Sequence, residues 1–175
     1  MFKSLTQKFR AMGSLANLFK EAERIALAEG QVEPGAEHMV MAALTMPDDD
    51  SARRVLSLQG ASPEAFWDAV GQQYSDALRS VGVEAPALVH QDNTATIALK
   101  PRGLYKSSES TKDLLDAVTA SNKLAGKTAF SAAEFILGAT NPKFGVVARA
   151  FDRLGIDREE LAAAARTEIA KHNSN

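Results

Sequence analysis

Leu18 to Thr45 reads LFKEAERIALAEGQVEPGAEHMVMAALT, and Leu115 to Pro142 reads LDAVTASNKLAGKTAFSAAEFILGATNP. Slid by 97 residues, Leu18 meets Leu115, Leu27-Ala28 meets Leu124-Ala125, Ala36-Glu37 meets Ala133-Glu134, and Met39-Val40 meets Ile136-Leu137. Two residues then drop out of the second stretch, and the match resumes at an offset of 95. Gly60 meets Gly155, Ser62 meets Asp157, Glu64 meets Glu159 and Phe66 meets Leu161. A repeat of this length is one folding unit present twice, with the copies expected to pack around a pseudo-two-fold axis. Such packing makes a groove between near-equivalent surfaces, a geometry for binding rather than, by itself, for chemistry.

Working outward, nearly every segment reads as helix. Ala16 to Glu29 is apolar or small at Leu18, Ala22, Ile25, Ala26 and Ala28, with Gly30 as a stop. Pro34-Gly35 is a turn, and Ala36 to Leu44 is apolar enough to predict burial on most sides. Pro47 to Asp50 is a loop whose acids favour the N-terminus of the next helix, Ser51 to Leu58. Ser62 is an expected N-cap with Pro63 at the first helical position, leading a helix with Phe66, Trp67 and Val70. The second copy has the same punctuation. Helices are expected over Leu114 to Leu124, Ser131 to Ala139, Gly145 to Leu154, and from an Asp157/Glu160 capping box to about Lys171. The reading is all-α, one domain over 1–175, with repeat one over about 2–82, a linker over about 83–109 and repeat two over about 110–172. The linker holds Pro86, Pro101 and an alternating Thr94 to Leu99, which reads as a short strand or hairpin.

Composition bounds the function. Apolar residues make up 45% and charged residues 24% of the 175, ordinary for a soluble globular protein. A net charge of −2 supplies no global field for nucleic acid or an anionic membrane, so neither is an expected partner. The chain has no cysteine, which excludes thiol catalysis, disulfides and Cys-based metal sites and fits a reducing cytosol. No apolar stretch approaches the ~20 residues that span a bilayer. Met1 to Lys20 is basic, with Phe2, Leu5, Phe9 and Met12 at helical spacing. It reads as a first helix packed by that face rather than as a targeting segment.

Candidate chemistry is thin. Ala125-Gly126-Lys127-Thr128 resembles the end of a phosphate-binding loop, but Ser121 stands where the pattern needs glycine, and a helix precedes it where the pattern needs a strand. His38, His90 and His172 show no ligand spacing, and no Gly-x-Ser-x-Gly turn is present. No cofactor is expected, and a small hydrolase is the remote alternative. The carboxylates of interest are Glu37 and Glu134, which the 97-residue shift places at one position at the start of the apolar helix of each copy. Ser131-x-x-Glu134 is a capping box, so Glu134 has a structural reading. Pro34 removes that reading from Glu37. A pair of carboxylates related by pseudo-symmetry is suited to receiving cationic groups from a ligand.

The tandem repeat with Gly35-Ala36-Glu37-His38-Met39-Val40 resembles the N-terminal (Clp-N, or Clp repeat) domain of the Clp unfoldases, ClpC type in particular. That repeat carries a Gly-Thr-Glu-His-(apolar)-(apolar) signature. Ser131-Ala132-Ala133-Glu134-Phe135 follows it more loosely, and Met1-Phe2-Lys3-Ser4-Leu5-Thr6 and Pro101-Arg102 resemble the family's start and the opening of its second repeat. Lys100 stands before Pro101 where the family has Thr. The resemblance implies a bundle of two pseudo-symmetric four-helix repeats, without enzymatic activity, that receives substrate proteins, adaptors or a Clp ATPase. It implies a surface near Phe2, Thr6, Glu37 and Glu134, where ClpC-type members bind arginine-phosphorylated protein. Cyclic-peptide antibiotics, which bind the family near its first Phe, are the alternative ligand class. An ATPase module is not expected within 175 residues.

Overall fold

The computed structural model describes residues 2–82, 108–124, 130–141 and 145–173, with side chains described over 13–82, 108–123, 130–141 and 145–171. Among these, the elements are α1 (Phe2–Ala28), α2 (Ala36–Thr45), α3 (Ser51–Leu58), α4 (Pro63–Ser80), α5 (Glu109–Leu124), α6 (Ala132–Ala139), α7 (Gly145–Arg153) and α8 (Arg158–Asn173). All are helices, four to each repeat. Two boundaries differ from the sequence reading. The basic start and the Ala16–Glu29 segment form a single helix, α1. α5 begins at Glu109, five residues before Leu114, because the Ser108 hydroxyl accepts the Thr111 N–H and caps it. The expected Phe2/Leu5/Phe9 face and the 94–99 strand lie outside the described side chains and residues.

Local chemistry sets the remaining ends. The Ser62 hydroxyl accepts the Ala65 N–H at 3.2 Å, and Asp157 Oδ1 accepts the N–H groups of Glu159 and Glu160 at 2.7 and 3.1 Å. Gly60 and Gly155, 95 residues apart, close α3 and α7 with φ of 72° and 70°, a left-handed conformation that a Cβ disfavours.

The pairing of helices is two-fold. α2 packs against α6 across the pseudo-axis. α1 on α2 repeats as α5 on α6, α2 on α4 as α6 on α8, and α4 on α7 as α8 on α3. The two halves share one hydrophobic core. Phe66 of α4 meets Phe151 of α7 with ring centroids 5.6 Å apart, and both are fully out of water. Burying a side chain of this size contributes about 1.5–3 kcal/mol.

Each copy also caps the other's central helix. The N–H groups of Ala132 and Ala133, at the start of α6, donate to Asp49 Oδ2 at 2.7 Å and to Ser51 Oγ at 2.9 Å. The Ala36 N–H, at the start of α2, donates to Ser110 Oγ at 3.2 Å, and Thr111 Oγ1 donates to the Pro34 carbonyl at 2.6 Å. Unpaired N–H groups at a buried helix start are costly. Here the partner repeat satisfies them. The Asp run therefore acts at a helix start, as read from the sequence, but Asp49 serves two helices at once.

Candidate functional site

The site is built on the first turns of α2 and α6. Gly35 is the N-cap of α2, in extended conformation. The capping side chain is three residues on. His38 is fully buried, its Nδ1 accepts the Gly35 N–H at 2.9 Å, and its Nε2 lies 3.2 Å from Glu29 Oε2. Because Nδ1 accepts, the ring proton sits on Nε2 and donates to Glu29. Trp67 of α4 covers the imidazole edge-on, centroids 5.7 Å apart.

Glu37 stands beside this clamp, 6% exposed. Its Oε1 accepts the Tyr74 hydroxyl at 3.1 Å and lies 3.4 Å from His38 Nδ1. The carboxylate folds over Gly35 so closely that a Cβ there would come within 2.5 Å of Oε1, so a larger residue in the turn would push the Glu37 carboxylate aside. Burial pushes the Tyr74 phenol up to about 12, and the Glu37 charge adds to the shift.

At α6 the N-cap is Ser131 and the capping residue is Glu134, 4% exposed. Its Oε2 accepts the Ser131 N–H at 3.1 Å and the Asn122 side-chain amide at 2.8 Å. The expected capping box is thus made from the Glu134 side. The Ser131 hydroxyl is buried and has no hydrogen-bond partner among the described residues.

These helix frames correct the register of the two glutamates. Counted from the N-caps Gly35 and Ser131 the offset is 96, not 97. Glu37 is the second residue of α2, and its counterpart is Ala133. Glu134 is the third residue of α6, and its counterpart is His38. Both third residues tie down their own N-cap N–H and a group at the end of the preceding helix, Glu29 in one copy and Asn122 in the other. The cap, not the alignment of like residues, sets where each helix starts.

Of the four residues singled out in the sequence, Glu37 and Glu134 therefore lie on packed helices but in separate polar clusters. Phe2 and Thr6 belong to α1, and their side chains lie outside the described residues. Tyr74 and Asn122 were missed, as was the reach of Asp49 to α6. Tyr74 had a signal, since Phe66, Val70 and Tyr74 form one i, i+4 stripe on α4. Among the described residues no group of three or more His, Cys, Asp or Glu side chains is placed to hold a metal, and no helix is long and apolar enough to cross a membrane.

No protein-family model matches the chain, and no curated protein matches it. Among solved structures, its fold is similar to the crystal structure of the N-terminal domain of the caseinolytic protease associated chaperone ClpD from Arabidopsis thaliana. The likeness has a TM-score of 0.56 and 18% identity, and it covers 92% of each chain. Its fold is that of a Clp N-terminal domain, and its described residues have that domain's all-helical architecture.

Proposed function

We propose that this chain is a protein-binding module of the Clp chaperone and proteolysis system, acting in the cytosol without ATP turnover. It presents, sequesters or competes for substrate proteins, adaptors or a Clp ATPase, in a stoichiometric manner. The observation that carries the reading is the likeness in fold to the ClpD N-terminal domain over 92% of both chains. The contact surface is the one around Phe2, Thr6, Glu37 and Glu134. Within it we assign the contact with a partner's cationic group to Glu37; its carboxylate accepts the Tyr74 hydroxyl, while Glu134 is committed to the α6 cap.

Calorimetric titration with casein and with arginine-phosphorylated casein tests this. Saturable binding is expected, tighter for the phosphorylated form and weakened about tenfold in Glu37→Gln, the loss of one charge-assisted contact. No binding of either form, or equal binding by Glu37→Gln, contradicts the reading.

A further inference from the structure

Among the differences between the two repeats, one leaves a volume unfilled. Ser62 and Asp157 are the matching N-caps of α4 and α8, so Trp67 and Ala162 occupy the same position, five residues beyond the cap. In repeat one Trp67 lies against the third residue of the central helix, His38. In repeat two the same pair is Ala162 and Glu134, and an indole-sized volume is missing. An open cleft of about 1210 Å³ lies there, between α5, α6 and the first half of α8. Its floor is Val118, Glu134, Ile156 and Ala162, all buried.

The rim differs too. Arg158 and Arg166 stand one turn either side of Ala162 on the face of α8 that lines the cleft. Their counterparts in repeat one, 95 residues earlier, are Pro63 and Gly71. Arg158 is steered along the rim by Asp152, 3.5 Å from its Nε. A ring laid over Ala162 would therefore meet a guanidinium on each side, an arrangement that favours the face of an electron-rich aromatic over an aliphatic group.

We propose that this cleft is a binding site for an aromatic side chain, tryptophan above all, presented by a bound polypeptide. The incoming indole takes the place in repeat two that Trp67 fills in repeat one. The cleft shares Glu134 with the proposed contact surface but does not include Glu37, so Glu37→Gln tests that surface and Ala162→Trp tests the cleft, and either can fail alone.

The test uses N-acetyl-tryptophanamide as probe and the ¹⁵N-labelled chain as reporter. Saturable amide shifts are expected at Val118, Gly138 and Ala162, with affinity about tenfold above that of N-acetyl-leucinamide. Ala162→Trp fills the cleft from within and abolishes these shifts. Should that variant misfold, Arg158→Gln with Arg166→Gln, both on the surface, is expected to remove the preference for tryptophan over leucine. Absence of shifts at the cleft in the parent chain, equal affinity for the two amides, or undiminished binding by folded Ala162→Trp overturns the proposal.

Discussion

Arg54 of α3 and Glu168 of α8 join the two repeats, the guanidinium Nε donating to Oε1 at 2.6 Å. The Glu168 contact holds Arg54 above its ordinary pKa. The pseudo-symmetric image of this contact lies at an offset of 95 residues. There Arg149 of α7 donates from Nε to Gln73 Oε1 of α4 at 2.9 Å. The geometry has been kept in both copies while the acceptor differs, carboxylate in one and amide in the other.

That difference predicts the sign of a substitution. Gln73→Glu would restore the ion pair, but Gln73 Nε2 also donates to the Val146 carbonyl at 3.0 Å. A carboxylate loses that bond and turns an oxygen toward a carbonyl, a cost of about 1 kcal/mol. A half-exposed pair to Arg149 returns less than that. Urea denaturation is expected to show a lower midpoint for Gln73→Glu. A higher midpoint would mean that the ion pair dominates.

Glu134 and Glu37 should separate by stability. Glu134→Ala strands two buried donors, the Ser131 N–H and the Asn122 amide, and is expected to cost about 1–3 kcal/mol. Glu37→Gln leaves an amide oxygen for the Tyr74 hydroxyl and is expected to cost less than about 1 kcal/mol. Chemical denaturation of the two variants checks the ranking, and a reversed order would assign the structural role to Glu37.

Tyr74 predicts an alkaline weakness. Its folded pKa, about 12, lies above the ordinary value of 10.0, because burial first and Glu37 second disfavour the phenolate. The unfolded chain releases this proton earlier, so the contribution is complete below about pH 10 and is lost as pH rises toward 12. Screening at this half-buried site reduces the loss to about 1 kcal/mol. Denaturation at pH 8 and pH 11 should show a steeper decline for the parent chain than for Tyr74→Phe. Equal declines would place the phenol in an ordinary aqueous setting.

Asp49 is predicted to hold two helices from opposite repeats. It accepts the Ser51 N–H through Oδ1 and the Ala132 N–H through Oδ2. Asp49→Ala is expected to cost about 2 kcal/mol and to speed amide exchange at both Ser51 and Ala132. Faster exchange at Ser51 alone would show that the contact between repeats carries no energy.

Much of this was legible in the sequence, for local reasons. Ser62, Asp157, Gly60 and Gly155 act within one turn of themselves, so their residue types announce the helix ends they make. The start of α5 was hidden because Ser107-Ser108 reads as linker until Ser108 is seen capping Thr111. The roles of Asp49, Ser51 and Ser110 were illegible, since each caps a helix more than 70 residues away. At the candidate site, matching Glu37 to Glu134 obscured the true pairing of His38 with Glu134, because unlike side chains do the same work there.

The most direct test of the account is capture from cell lysate by the tagged chain, read by mass spectrometry, beside the Glu37→Gln variant. The account predicts that the parent chain recovers a Clp ATPase, its peptidase or a set of misfolded proteins, and that Glu37→Gln recovers markedly less. A parent chain that emerges with no Clp component and no client protein would contradict it.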